Sequence, residues 1–470
     1  AKRTTPPLMF IRHLLLVALL CVPTYAHASS PSTSLGSPTS LSAYSGVTQT
    51  GEGLPNTRPK FGIRAGDFVV QPRLFVESMY SSNFFREDDR NTNGEFSEVM
   101  ALHLCPGVAI YNPGFTNVAF SLAADADGHF PFGDEERVKA QQDLGGDVHG
   151  KINLFPKRAL SMALNGRFKR ELWTRPSSGT GSADRNDVTA GAKLAFHPGG
   201  RALEMKLGYS LNMTTYDDLE SQNTDRHRVS LQTSWRFYPL SYLVLDAYMN
   251  MIEYPDGNDT EGVAADGYHV EGSPWKVLGG MNGYFSERLA FRIRGGYADT
   301  NLDAGEGYTG AVADVRMTYR FGVRSVWHLG YNLDAETAAL GGFYSFHRGY
   351  TSFEQSLGKL GRLHFDFSVD ARRFGAYTPA NTSFEDADGV ERVIEVSASS
   401  PNREDMMLRA GLVMDFDFSR LFGLTLGYRY EASMSDYKTT SAPEATPDQA
   451  QAFFAGYEDH RVLLTLNLRY

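Results

Sequence analysis

The chain has 470 residues and a formal net charge of −10, and 42% of it is hydrophobic, 12% aromatic and 21% charged. This composition excludes a collagen, a coiled coil, a disulfide scaffold and a fully disordered chain. The acidic balance argues against nucleic acid as a partner, since phosphate binding needs a concentrated positive field.

Residues 9–28 read MFIRHLLLVALLCVPTYAHA. Arg12 and His13 precede an apolar stretch, Leu14 to Val22, and Ala26-His27-Ala28 forms a small-residue cleavage pattern. This order predicts a secretory signal peptide cut after Ala28, with residues 1–8 as an upstream extension. Cleavage removes Cys21 and leaves Cys105 alone, so no internal disulfide is expected in the mature chain. Residues 29–65 are rich in Ser, Thr, Pro and Gly and cannot bury a core, which predicts a flexible periplasmic leader. No apolar run reaches the roughly 18–20 residues of a membrane-spanning helix.

From Gly66 to Tyr470 apolar and polar residues alternate with period two. Leu203, Met205, Leu207, Tyr209, Leu211 and Met213 alternate with Glu204, Lys206, Ser210, Asn212 and Thr214. At 180° per residue this gives one apolar and one polar face, whereas a helix would smear it. About 18 strands are predicted, near 66–80, 96–110, 114–127, 139–154, 159–172, 187–197, 201–216, 226–238 and 240–252. The series continues near 275–286, 288–299, 308–321, 324–334, 342–355, 360–373, 405–418, 421–434 and 460–470. Connections after even-numbered strands are tight, as at Asn112-Pro113, Pro198-Gly199-Gly200, Ser286-Glu287 and Ser419-Arg420. Those after odd-numbered strands are long and polar, as at 81–95, 253–274, 374–404 and 435–459.

One end with short turns and one with long loops is the asymmetry of outer-membrane barrels. The expected fold is therefore all-β: an antiparallel up-and-down transmembrane β-barrel of 16–18 strands, both termini periplasmic, in the outer membrane of a Gram-negative bacterium. A soluble sandwich would need a second layer to cover so many aromatics, and no propeller or solenoid repeat is present. Val462, Leu464, Leu466, Leu468 and the terminal Tyr470 share one face of the last strand. They resemble the signal read by the outer-membrane assembly machinery, which makes that machinery and the outer-membrane lipid and lipopolysaccharide expected partners.

The opening strand reads Gly66-Asp67-Phe68-Val69-Val70-Gln71-Pro72 and leads to Tyr80-Ser81-Ser82-Asn83-Phe84-Phe85-Arg86. It resembles the start of outer-membrane β-barrels of the β-barrel porin 2 type, members of which accompany exopolysaccharide export genes. The resemblance implies an outer-membrane channel for polysaccharide export and a periplasmic polysaccharide export protein as partner. A general diffusion porin for small solutes is the alternative, and a barrel enzyme a more distant one.

The polar member of each alternation should line the lumen. Arg288, Arg292 and Arg294 of the eleventh predicted strand would then face Arg316 and Arg320 of the twelfth, with Arg292 near Arg316 and Arg288 near Arg320. Such a row forms an anion-attracting ladder unless wall acids such as Asp314 neutralise it. Asp143 and Asp147 should face Arg167 and Lys169 as cross-strand ion pairs. Tyr242 and Tyr248 should face inward. Asp125-Ala126-Asp127-Gly128 with Asp134-Glu135-Glu136 reads as a solvated acidic loop that lacks full calcium-loop spacing. No catalytic, metal-ligand or cofactor motif is present, so no cofactor is expected.

Overall fold

The computed structural model describes residues 62–85, 96–112, 117–133, 135–139, 141–156, 158–171, 184–198, 202–217, 223–255, 271–303, 307–337, 343–358, 361–375, 382–385, 391–395, 403–419, 421–435, 438–442, 451–454 and 456–469. The signal segment 9–28, residues 29–61 of the leader and the terminal Tyr470 lie outside the described residues, as do residues 256–270 of one long loop.

A short strand β1 (Ile63–Ala65) turns back on β2 (Phe68–Ser81). Up-and-down strands follow: β3 (Val99–Tyr111), β4 (Val118–Phe132), β5 (Asp143–Leu154), β6 (Leu160–Glu171), β7 (Arg185–Phe196) and β8 (Leu203–Tyr216). Next come β9 (Thr224–Tyr238), β10 (Ser241–Glu253), β11 (Trp275–Tyr284), β12 (Leu289–Asp299), β13 (Thr309–Arg320) and β14 (Ser325–Thr337). The circuit continues through β15 (Phe343–Ser356), β16 (Gly361–Phe374), β19 (Glu404–Asp417), β20 (Phe422–Ser435) and β23 (Tyr457–Arg469). Between these lie β17 (Thr382–Glu385), β18 (Glu391–Glu395), β21 (Lys438–Ala442) and β22 (Gln451–Phe454).

Every neighbouring pair is antiparallel, and β23 pairs with β2 through Leu74↔Leu468 and Tyr80↔Val462, so 18 strands close on themselves. Closure leaves no unpaired edge. The separate strands β17, β18, β21 and β22 form a small sheet of their own. The connection between β16 and β19 joins there the one between β20 and β23. All long connections lie at one end of the barrel and all short turns at the other.

The alternation explains which way each face points. Leu144, Val148 and Ile152 of β5 are 66%, 45% and 42% exposed on the outside, while the intervening Asp147 and Lys151 turn inward. On β12, Ile293 and Tyr297 are exposed outside, and Arg292 and Arg294 point into the barrel. Large apolar side chains cover the exterior from strand to strand, far beyond the patch a soluble monomer leaves open. At about 25 cal/mol per Å² such a surface is costly in water and favourable in hydrocarbon. This is the architecture of an outer-membrane β-barrel. Among the described residues no second layer packs on the sheet, and the one buried apolar cluster joins Phe84, Phe85, Val99 and Val138 near Met79.

Two glycines permit close backbone approach within the wall. A Cβ on Gly280 of β11 would run into the carbonyl oxygen of Ile293, and one on Gly296 of β12 into that of Val277.

Candidate functional site: the charged lumen wall

Because paired residues in an antiparallel sheet share a face, the register fixes the lumen lining. Arg292 of β12 stands opposite Arg316 of β13, and Arg294 opposite Asp314. The next step towards the short-turn end brings the Arg320 amide onto the Arg288 carbonyl at 2.8 Å. Arg288, Arg292, Arg316 and Arg320 therefore line one hairpin from mid-wall to its end. Of these four Arg292 is paired, its Nη2 2.6 Å from Asp314, and the neighbouring Arg294 reaches Asp246 of β10. No carboxylate lies within ion-pair distance of Arg316 or Arg320 among the described residues.

The basic character extends along the neighbouring strands. Arg228 of β9 lies over the Tyr248 ring at 4.0 Å from its centroid, and Lys276 of β11 sits 5.3 Å from the same ring. Tyr248 is thus an inward aromatic held between two cations, while Tyr242, also inward, lies between Arg236 and Asn282. From β8 to β13 the inner face carries Lys206, Arg226, Arg228, Arg236, Lys276, Arg292, Arg294, Arg316 and Arg320 against Glu204, Asp246 and Asp314.

Half a turn round the barrel the balance reverses. The inner faces of β19, β20 and β23 carry Asp405, Asp415, Asp417, Glu431 and Asp459 against Arg409, Arg429 and Arg461. Those of β2–β4 carry Glu77, Asp125 and Asp127 against Arg73. A basic wall thus faces an acidic one across the lumen.

The predicted ion pairs on β5 and β6 form only in part. Asp147 takes a bidentate contact from Arg167, with Nε at 2.9 Å and Nη2 at 2.5 Å. Asp143 pairs instead with Arg170 at 3.1 Å, because both lie at the long-loop end, where Arg170 leans over the rim towards Asp217 as well. Lys169, although opposite Asp147 in register, turns to Glu171 at 2.8 Å. The acidic segment Asp125–Gly128 is not a loop: it lies within β4, and Asp125 binds Arg73, with Nε at 2.6 Å. Small outward residues, Ala124, Ala126 and Gly128, had diluted the apolar half of that alternation. Gly107 of β3 stands between the two partners, and a Cβ there would strike the Asp125 carboxylate.

The charged cluster around Asp370 was missed from sequence. This fully buried carboxylate accepts from Arg348 at 2.6 and 2.7 Å, from Arg409 at 3.1 Å and from Arg372 at 3.3 Å. Arg348 and Asp370 are register partners, so the same alternation reading would have found them.

The described ends of the first long connection are tied to neighbouring segments: Ser97 Oγ donates to Glu135 at 3.0 Å and Asn83 Nδ2 to the Glu458 carbonyl at 3.1 Å. Close by, inward-facing His103 and His129 stack at 4.4 Å, with Phe84 at 6.2 Å from His129.

Of the assembly-signal residues, Leu464, Leu466 and Leu468 lie on the outward face of β23, opposite Ser78, Val76 and Leu74 of β2.

No protein-family model matches the chain, and no curated protein sequence matches it. Among solved structures, Pseudomonas aeruginosa OpdQ aligns over 86% of this chain and 99% of its own, at 10% identity and a TM-score of 0.47. Acinetobacter baumannii OccAB4 aligns over 89% and 100%, at 9% identity and a TM-score of 0.44. The siderophore receptor PirA from Pseudomonas aeruginosa aligns over 87% and 81%, at 8% identity and a TM-score of 0.44. At these values the likeness is one of barrel form, and it carries nothing about what crosses the wall.

Proposed function

We propose that this chain is a passive outer-membrane channel for hydrophilic material, oriented with its short turns and both termini towards the periplasm, and that acidic polysaccharide is its cargo. The observation that carries the channel reading is the inverted distribution of side chains. Large apolar groups cover the outside of a closed 18-strand barrel, and ionised groups line the inside. Barrels of this strand number enclose an aqueous lumen rather than a side-chain core.

The acidic cargo is supported by the basic wall of β8–β13, above all by Arg316 and Arg320. Its polymeric nature is supported by the resemblance of the Gly66–Arg86 segment to barrels of polysaccharide export systems, as is a periplasmic export protein as partner. No energy source is needed: bore and wall charge decide what passes.

Purified barrels in planar bilayers test this reading. Stepwise conductance that is blocked by polygalacturonate and not by neutral dextran is expected. Conductance with no block by the acidic polymer would leave a diffusion porin for small solutes, and a soluble, non-inserting protein would defeat the channel.

A further inference from the structure

Three cross-strand pairs on the outward face repeat one arrangement. The Tyr209 hydroxyl of β8 hydrogen-bonds Nδ1 of His227 on β9 at 2.8 Å. Tyr331 of β14 does the same to His347 of β15 at 2.6 Å, and Tyr428 of β20 to His460 of β23 at 2.8 Å. In each case the tyrosine lies six residues after the first residue of its strand, and the histidine three or four after the first of its own. All three pairs therefore sit at one depth, nearer the long-loop end.

That depth fits a membrane boundary. Ten residues beyond His227 and His347 stand Phe237 and Leu357, exposed by 46% and 48% at the short-turn end. At about 3.3 Å per residue and a tilt of about 40°, ten residues rise about 25 Å, the height of a barrel's apolar band. A band of that height, measured from Phe237 and Leu357, puts the histidines at its opposite edge, the level of the headgroups.

The three pairs differ in their surroundings. His460 Nε2 lies 3.3 Å from the Glu458 carboxylate, so an anionic oxygen already fills the place its ring addresses. His227 has Asp225 two residues along the same face, with Glu253 opposite Asp225. His347 has Ser345 in the equivalent place, and opposite Ser345 stands the exposed Arg373 of β16. Arg373 and His347 have no carboxylate within ion-pair distance among the described residues. Glu404 of β19 faces Arg373 from its other side without closing that gap.

We propose that His347 and Arg373, with Ser345 between them, bind a phosphate of an outer-leaflet glycolipid headgroup. With the Tyr331 hydroxyl as donor to Nδ1, the ring proton sits on Nε2 and is free to donate to the phosphate, and the guanidinium adds a charge-assisted fork at the same level. The Glu458–His460 contact is the intramolecular counterpart of that bond. The proposal rests on the orientation given above, with the long loops outside the cell.

Native mass spectrometry of the protein from phosphatidylcholine nanodiscs carrying a minor fraction of bisphosphorylated lipid A reads the site. The wild type is expected to retain lipid A, and His347→Ala/Arg373→Ala to lower its apparent affinity by about tenfold, the scale of lost charge-assisted bonds. Glu404→Gln should tighten binding by removing the competing carboxylate, while His227→Ala and His460→Ala should leave it unchanged. Unboiled gel mobility, measured in parallel, confirms that each variant is folded. Undiminished binding by the double variant overturns the site, as does equal retention of dephosphorylated lipid A or phosphatidylglycerol, or an equal loss in His460→Ala. Labelling of a cysteine placed at Asn301 on intact cells separates the two readings. Label without lipid A binding defeats the site alone, and no label defeats the orientation on which it depends.

Discussion

Replacing Arg316 and Arg320 with Glu reverses two charges of the basic wall. Neither arginine has a carboxylate partner among the described residues, and both members of the nearest ion pair, Arg292–Asp314 at 2.6 Å, are retained. The two substitutions move the wall by about four charge units. A unit charge passing at about 10 Å through water feels about 0.4 kcal/mol from each, so the full change is about 1.7 kcal/mol before screening. At 0.1 M salt the Debye length of about 10 Å reduces this to about 0.6 kcal/mol. Anions are disfavoured and cations favoured by the same amount, so their permeability ratio should shift about eightfold towards cations. At 0.01 M, with a Debye length near 30 Å, the shift grows to about sixtyfold, and at 1 M it should vanish. The assay is the reversal potential across a planar bilayer under a salt gradient, repeated at each ionic strength. An open channel with unaltered selectivity at low salt would show that these arginines do not face the conduction path.

The folded barrel should migrate faster unboiled than boiled on an SDS gel, since a closed hydrogen-bonded wall offers detergent no edge from which to unzip; identical mobilities would contradict closure. Leu207→Lys, at an outward position 54% exposed in mid-strand, should cost about 2–4 kcal/mol of folding free energy in vesicles, whereas Gln232→Lys on the lumen side should leave stability within about 0.5 kcal/mol. Urea titrations of both variants decide this, and equal losses would mean that the faces are misassigned. Deleting Leu468–Tyr470 removes the Leu468 pairings with Leu74 and Phe422 at the closing seam; the truncated chain should be exported and then degraded, and normal outer-membrane levels by immunoblot would refute a role in assembly.

Strand number, strand faces and the uneven ends were legible from the sequence because period two is a local property. Leu144, Val148 and Ile152 announce their face without knowledge of any neighbour. Hairpin register was legible for the same reason, so that Arg292 and Arg316 could be set opposite one another from residue counting alone. Contacts that skip a strand were not. Arg73 meets Asp125 across Gly107, Arg294 meets Asp246 from β12 to β10, and Lys276 meets Asp334 from β11 to β14. Such partners depend on barrel shear, side-chain length and a missing Cβ between them, none of which the alternation encodes. Asp143 chose Arg170 over Lys169 because strand ends relax the strict inward and outward rule. The small sheet of β17, β18, β21 and β22 was hidden because it joins loops far apart in the chain.

The central claim is that one face of the wall meets lipid and the other meets water across the membrane. Cysteine scanning of residues 229–234 on β9, in a Cys105→Ala background reconstituted into vesicles, tests it most directly. Val229, Leu231 and Thr233 point outward and Ser230, Gln232 and Ser234 inward. Cysteines at the inward positions should react with a charged, membrane-impermeant maleimide. Those at the outward positions should resist it, and a fluorophore placed there should be quenched from the lipid. Reaction at all six positions, or no alternation between them, would contradict a lipid-embedded barrel with an aqueous lumen.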